Sequence, residues 1–568
     1  MAARFYRNVA RAVEPPCYYL AAMADQRPTP GVTPGAAAPG RLAGVEAPPR
    51  GPVYGSRFAI AAEHPAASLA GMNMLQRGGN AVDAAIAASA VNVVVKPYAT
   101  HLGGDAFVLI WQRRSDTVEC LNAGGRAPRR ATLQEFPQGI PGLGARASTV
   151  PGLVDAWCEL HARHGSRPLG ELLAPAIELA EGGFPVSLHL AVMMSALAAS
   201  PAGTPEAEVR KVFLQRDGSP YRPGATFCQP ELAETLRAIA ADERDGFYGG
   251  ATGRAIAEAM AAAGGLIDEE DLAEPAAHWH EPASTTYHGC TVYEQALPSQ
   301  GMIVLQALNI VEQFPLPEWG LTNAGSAHVL IEALRLAFAD ARRYYADPLV
   351  EHVPVERLIS KQHARELAAE IDLSRAKQPA AAPAGGDTTS FAVADEDTAV
   401  CFIQSVFAVW GSGFVVPGTG VLMNNRLTGF STNAQHPNHL APRKRTLHTL
   451  NNFLVVRDGE LVIGGGTPGA DYQVQCNLQT IVAAVDWRLD AHSAISAPRW
   501  GIQATGAIAM ESRFPNALAG ELEARGHRVQ RVGPWETAIA RSSVLSSIAP
   551  TGWAAASDLR SEGLALAT

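Results

Sequence analysis

Apolar and polar positions divide the chain into two textures. From residue 64, HPAASLAGMNMLQRGGNAVDAAIAASAVNVVV carries apolar residues at helical spacing and predicts two helices. Leu69, Met72 and Leu75 are the expected apolar stripe of the first, which Gly78-Gly79 ends. Asn80 caps the second, with Asp83 in the first turn, where a negative charge suits the helix dipole. HLGGDAFVLIW follows as a glycine turn feeding an apolar strand. Residues 152–265 read as mostly helical, and LGELLAPAIELAEGG and ATGRAIAEAMAAAGG both run into paired glycines. AHVLIEALRLAFADARRYYADP predicts a long amphipathic helix that Pro348 stops.

The second texture begins after 372–387, DLSRAKQPAAAPAGGD, whose composition is that of a flexible spacer. TTSFAVAD and TAVCFIQSVFAVW then alternate as strands around Asp395-Glu396-Asp397. FLVVRDGELVIGG is a hairpin with Asp458-Gly459 at its tip, and YQVQCNLQTIVAAVDW returns to a helix. Residues 25–50 are rich in Pro, Gly and Ala and predict no fixed structure. The expected organisation is a disordered leader at 1–51, a mostly helical part at 52–387 ending in the spacer, and a strand-rich part at 388–568.

Composition narrows the function. The chain has 568 residues, 47% of them apolar, enough for a large core. Its net charge of −10 includes no basic run, so no nucleic-acid partner is expected. Seven scattered cysteines without a CxxC pair fit a reducing compartment and argue against a disulfide framework or a thiolate metal site. No stretch is long enough to span a bilayer. The first residues, MAARFYRNVARAVEPPCYYLAAMADQ, imitate a signal peptide, but their apolar run is short and opens on two prolines. A cytoplasmic location is favoured over a periplasmic one.

Three motifs invite over-reading. GGGTPG at 464–469 satisfies GxGxxG, yet hairpins precede it and Pro468 interrupts it, so a plain strand-to-helix turn is expected, with N–H groups that suit an anion. His278 and His280 share a strand face without further ligands nearby in sequence, so no metal is expected there. Ser374 and Lys377 have the spacing of a serine–lysine pair but lie in the spacer, where nothing would hold them. No cofactor is expected.

The junction GGDTTSFAVAD carries the chemistry. A threonine hydroxyl needs a base before it can act as a nucleophile. If Thr388 began a chain, its α-amine, with a pKa of roughly 7.7–8.0, could be that base. Cutting Asp387–Thr388 would create that terminus, through attack of the same hydroxyl on the preceding carbonyl. The spacer would give the bond freedom and let the new end withdraw. Thr389 would sit beside the nucleophile and orient its amine.

The segments HPAASLAGMNMLQRGGNAVDAAIAA, HLGGDAFVLIW, STVPGLVDAW, LLAPAIELAEGGFPVS, AAGGLIDEEDL, GDTTSFAVAD, GSGFVVPGTGVLMNN and SAPRW resemble, in order, the γ-glutamyltransferase family of N-terminal-nucleophile hydrolases. The resemblance implies an α+β fold, a four-layer αββα sandwich made as one precursor and self-cleaved into large and small subunits. It implies Thr388 as nucleophile and a large–small heterodimer, alone or doubled. Gly469-Ala470 falls where the family has two glycines supplying oxyanion N–H groups, a role that needs no side chain. Ser405 falls where the family has a threonine that bonds the nucleophile.

Substrate positions depart from the family. Gly124 stands where the resemblance implies a carboxylate-binding arginine, with Arg126 two residues on. Gly429 replaces an amine-binding aspartate after Asn424-Asn425. His448-Thr449 replaces a serine pair, and Phe407 an asparagine. A zwitterionic glutamyl head would lose partners at a cost of about 2–5 kcal/mol. CFIQSVFAVWGSGFVVPGTG and HPNHLAPRKRTLHT are similar to a subgroup typified by oxamate amidohydrolase, implying a small acid amide whose anionic end Arg426, Arg126 or His448 would hold. Alternatives are a C–C bond hydrolase or acyltransferase, a genuine γ-glutamyl enzyme, and an unprocessed relative without activity.

Overall fold

The structure, a computed structural model, describes residues 51–200, 207–377, 386–548 and 551–568. The expected leader, but for Gly51, and residues 378–385 of the spacer lie outside the described residues.

Two seven-stranded antiparallel sheets form the centre. One runs in the order Leu564–Ala567, Ala59–Ala62, Thr389–Ala394, Thr398–Ser405, Asp105–Gln112, Thr117–Ala123, His278–His280. The other runs Val53–Gly55, Trp553–Ser557, Ser543–Ser547, Glu460–Gly466, Asn452–Arg457, Cys290–Glu294, Ala283–Tyr287. Segments from before and after Thr388 are interleaved within each sheet. The strand opening at Thr389 is held between Ala59–Ala62 and Thr398–Ser405, with Phe391 opposite Ala62 on one side and Phe402 on the other.

Alternation along the strands builds the layers. Ala59, Ala61, Leu109, Trp111, Ala392, Ala394, Cys401, Leu454, Leu545 and Trp553 point into the space between the sheets. Their neighbours Ile60, Ala62, Val108, Ile110, Phe391, Val393, Val400 and Phe402 point outward, into a core shared with the helices Pro65–Gln76 and Ala81–Val95. On the far side Val292, Phe453, Val455, Ile463 and Val544 meet the helices Met302–Val311, Ala324–Tyr344 and Tyr472–Val485. The result is helix, sheet, sheet, helix. Both faces of the central strands are covered, which is why they read as almost continuous apolar runs. Phe391 and Phe402 stack across the strands at 5.0 Å, worth about 0.5–1.5 kcal/mol beyond their burial.

The helix Ala81–Val95 is buried all round, and Asn80 and Asp83 form a full capping box. Leu69 corrects the expected stripe: it is 54% exposed, and the buried face of Pro65–Gln76 is Ala67, Ala70, Gly71, Met74 and Leu75 with Met72. The long helix ends at Tyr344, ahead of Pro348. The strand expected through VFAVW stops at Ser405, because Phe407 and Trp410 take positive φ values of 79° and 63°. In GGGTPG the three glycines belong to the strand Glu460–Gly466, whose neighbours are antiparallel, as a dinucleotide-binding unit would not be. Among the described residues no helix is long and apolar enough to cross a membrane.

Candidate active site

Thr388 lies at the head of its strand, 2% exposed, in the uncut chain. Gln473, in the first turn of Tyr472–Val485, donates Nε2 to Thr388 Oγ1 at 3.4 Å. The orientation of that amide is set from behind, since its Oε1 accepts from the Asn451 N–H and Nδ2, each at 3.2 Å. Ser405 Oγ donates to the Asp387 carbonyl oxygen at 2.7 Å, so the carbonyl before Thr388 is already polarised. Ser405 Oγ in turn accepts the Phe407 N–H at 2.7 Å, and the Asp387 N–H donates to the Phe407 carbonyl at 2.8 Å. The positive φ of Phe407 is what brings its N–H and carbonyl to these two partners.

Gly469 and Ala470 form the turn into the Gln473 helix, with φ values of 122° and 49°. Their N–H groups donate to no backbone acceptor among the described residues. Gln300 Nε2 fixes the turn by bonding the Ala470 and Thr449 carbonyls at 3.0 Å each. This is a turn with free donors at a helix start, an arrangement suited to a developing oxyanion.

Behind Phe407 lies a buried charged group. Arg426 Nε and His448 Nε2 each donate to Asp105 Oδ2 at 3.2 Å, and Asp105 Oδ1 accepts the Gly125 N–H at 2.8 Å. The Leu450 N–H donates to His448 Nδ1 at 3.3 Å, so the ring proton sits on Nε2. Burial first, and then the charge of Arg426, lowers the His448 pKa to about 4. Burial pushes Asp105 upward, but His448 and Arg426 outweigh it and hold the carboxyl below its ordinary value. Burial lowers the Arg426 pKa to about 10, leaving it charged at neutral pH. Its guanidinium lies 4.2 Å over the Phe407 ring, and Nη1 donates to Thr449 Oγ1 at 3.4 Å. Arg426 Nη2 is buried with no acceptor among the described residues.

Other predicted residues are placed differently. Arg126 lies apart from these groups: it turns toward Glu274 at 3.6 Å near the surface, and no contact among the described residues joins it to Arg426 or His448. Asn425 clamps the loop, accepting the Ala408 N–H and donating to the Gly142 carbonyl. Thr389 is in register with Gln404, and its buried hydroxyl has no partner among the described residues. A Cβ at Gly124 would stand 3.3 Å from His448 Cδ2 and 3.2 Å from Phe107 Cζ, so His448 and Phe107 crowd the position. Ser374 is engaged with Asp372 and Lys377 with Glu370.

Sequence reasoning missed Gln473, Asp105 and a buried ionic set of Glu63, Lys96 and Arg541. Gln473, Gln475 and Gln479 were visible as polar positions on a helix that is otherwise apolar. Asp105 was visible as a lone charge heading an apolar strand. Among the described residues His328, Glu332 and His527 have the spacing of metal ligands, but Arg335 already donates to Glu332 at 2.6 Å and lies 3.4 Å from His527. The cation there is the protein's own.

Comparison with known proteins places the chain in one family. The sequence model of the gamma-glutamyltranspeptidase family fits residues 67–568. A glutathione hydrolase-like YwrD proenzyme of Bacillus subtilis is 35% identical over 507 residues, 87% of this chain and 95% of that protein. An oxamate amidohydrolase proenzyme of Klebsiella pneumoniae is 32% identical over 521 residues, 89% of this chain and 97% of that protein. A cephalosporin acylase from Bacillus halodurans has a similar structure, with a TM-score of 0.86 and 33% identity over 96% of this chain and 99% of that one.

Proposed function

Because the chain belongs to the gamma-glutamyltranspeptidase family, we propose that it cuts its own Asp387–Thr388 bond and then hydrolyses amides whose acyl half ends in a carboxylate and carries no ammonium. Thr388 Oγ is the nucleophile, and the α-amine freed by cleavage is its base. The hydroxyl attacks the amide carbonyl and the amine leaves. Water then opens the Thr388 ester. In this reading Ser405 and the Gly469 and Ala470 N–H groups are the donors for the oxygen that becomes negative in both steps.

One observation carries the substrate class: Arg426 Nη2 is a buried cationic donor without an acceptor among the described residues. A buried donor left unmade costs about 1–3 kcal/mol, more when charged, and a carboxylate supplies the missing acceptor. On the same side, Gly429 and Phe407 stand where the family resemblance implies groups for an amine. One relative is named for oxamate, itself the monoamide of a dicarboxylic acid, which supports the reading.

Steady-state rates with oxamate, succinyl-anilide, glutaryl-anilide and γ-glutamyl-anilide test it. A carboxyacyl substrate is expected to exceed the γ-glutamyl one in kcat/KM by about 10²-fold or more, the worth of roughly 3 kcal/mol of unpaired ammonium. Arg426→Lys keeps a charge for Asp105 but not the planar fork, and should lower kcat/KM for the carboxyacyl substrate at least about tenfold. Equal turnover of γ-glutamyl-anilide overturns the assignment.

A further inference from the structure

In the uncut chain the nitrogen of Thr388 is an amide, so the α-amine that serves the mature enzyme does not yet exist as a base. Something else must take the Thr388 hydroxyl proton during self-cleavage. We propose that the carboxylate of Asp387, the residue that departs, is that base, used once and then replaced by the amine it helps to release. This rests on Thr388 as the nucleophile.

Asp387 is 1% exposed, and its carboxylate bonds the nitrogen of the bond to be cut. Its Oδ1 accepts the Thr388 N–H at 2.8 Å and also accepts from Arg541 Nη2. Its Oδ2 is buried with no hydrogen-bond partner among the described residues. The other nearby carboxylate, Glu63, has both oxygens engaged: Oε1 accepts the Ser390 N–H at 2.8 Å, and Oε2 faces Lys96 Nζ at 2.6 Å and Arg541 Nε at 3.4 Å. Glu63 is thereby committed to holding two cations, while Asp387 keeps an open lone pair. Asp387, Glu63, Lys96 and Arg541 together are neutral, which limits the cost of burying them. Tyr98 and His189 also feel the charge of Asp387.

The step balances. Thr388 Oγ gives its proton to the Asp387 carboxylate and forms a bond to the Asp387 carbonyl carbon, whose oxygen is already bonded by Ser405. When the C–N bond breaks, the same carboxyl returns the proton to the nitrogen, to which it is already hydrogen-bonded through Oδ1. The products are an ester on Oγ and a free α-amine. Water, with the amine as its base, opens the ester to the Asp387 α-carboxylate and the Thr388 hydroxyl. While Asp387 holds the proton, the lost negative charge is matched by the oxyanion beside Ser405.

Pulse-labelled full-length chain, followed on denaturing gels, tests the role. Asp387→Asn should slow appearance of the two fragments by about 10²-fold or more, the usual worth of a general base. Asp387→Glu should cleave faster than Asp387→Asn, and formate should accelerate Asp387→Ala. Because Asp387→Asn removes one charge of a buried ionic set, the uncut variant should melt below uncut Thr388→Ala, yet in one cooperative transition, which excludes misfolding as the cause. Once Asp387→Asn has cleaved fully, its kcat/KM should match wild type. Wild-type cleavage rates in Asp387→Asn, or equal rates for Asn and Glu, overturn the proposal. Fragments from Thr388→Ala would instead overturn the nucleophile itself, so the two failures are distinguishable.

Discussion

Ser405 offers the sharpest separation of chemistry from folding. Its hydroxyl makes two bonds of 2.7 Å, donating to the Asp387 carbonyl and accepting the Phe407 N–H. Ser405→Ala removes both. In the proposed self-cleavage the first bond faces the oxygen that becomes an oxyanion, and losing one such donor costs about 2.7–4 kcal/mol of transition-state stabilisation, a factor of about 10²–10³ in rate. The second loss strands a backbone donor in the turn at Phe407 and costs about 1–3 kcal/mol of stability. Both magnitudes are measurable apart. Self-cleavage is read as the half-time of fragment appearance in pulse-labelled full-length chain. Stability is read by urea unfolding of the uncut Thr388→Ala chain with and without Ser405→Ala. Ser405→Thr keeps the hydroxyl and should retain self-cleavage within about tenfold of wild type while Ser405→Ala loses it. If Ser405→Ala cleaves within about threefold of wild type, the 2.7 Å contact is not polarising the bond, and its place in the mechanism is withdrawn.

Two further outcomes follow from backbone and burial. Ala470 holds φ at 49°, a region that costs a residue with a Cβ about 1–2 kcal/mol, so Ala470→Gly should raise stability by up to about 1 kcal/mol after the greater freedom of glycine in the unfolded chain is subtracted. Its kcat should not change, because the N–H is the working group; a fall of tenfold would contradict that. His101 and His448 use Nδ1 to accept the N–H groups of Leu422 and Leu450, and burial lowers their pKa values to about 3 and about 4. Their folded values lie below the unfolded 6.5, so the stability they support is present above that pH and is lost as the pH falls toward 4 and 3. At pH 5 each group has lost about 2 kcal/mol, and the urea midpoint of the uncut chain should drop between pH 7 and pH 5. An unchanged midpoint refutes the burial argument.

What the sequence made legible was periodicity. Strands and helices at the centre repeat every 2 or 3.6 residues because their partners are continuous layers, and a layer imposes a regular pattern on whatever packs against it. The pattern misled where small residues make the contact. At Gly71 a Cβ would stand 2.4 Å from Ile60 Cδ1 and 3.2 Å from the Ala84 carbonyl, so Pro65–Gln76 approaches Ala81–Val95 through alanine and glycine and leaves Leu69 outside. A search for large apolar residues finds the wrong face there. It failed again at Phe407, where the alternating pattern of VFAVW continues but the backbone turns left-handed to reach Ser405 and Asp387. A broken local rule beside the bond proposed to be cut is the kind of place where strain serves function.

The candidate site was legible only where its residues are neighbours in sequence. Thr388 is legible as a candidate because spacer, threonine and strand adjoin within a segment that resembles the family. Its supports do not adjoin: Asp105 and His448 are 343 residues apart, and Glu63 reaches Ser390 across 327. Nothing in either stretch points to the other before the sheets bring them together. Arg126 shows the same limit from the opposite side. In sequence it stands two positions from Gly124, but its backbone pairs with Arg445 and its side chain turns to Glu274. The cation beside Phe407 comes instead from Arg426, across a different loop. That exchange moves the positive charge while the contact room at Gly124 is taken by His448 and Phe107, so restoring an arginine at 124 would crowd those rings and place a second cation beside Arg426. With Gly124 crowded in this way, Gly124→Arg alone should not confer turnover of γ-glutamyl-anilide on the chain.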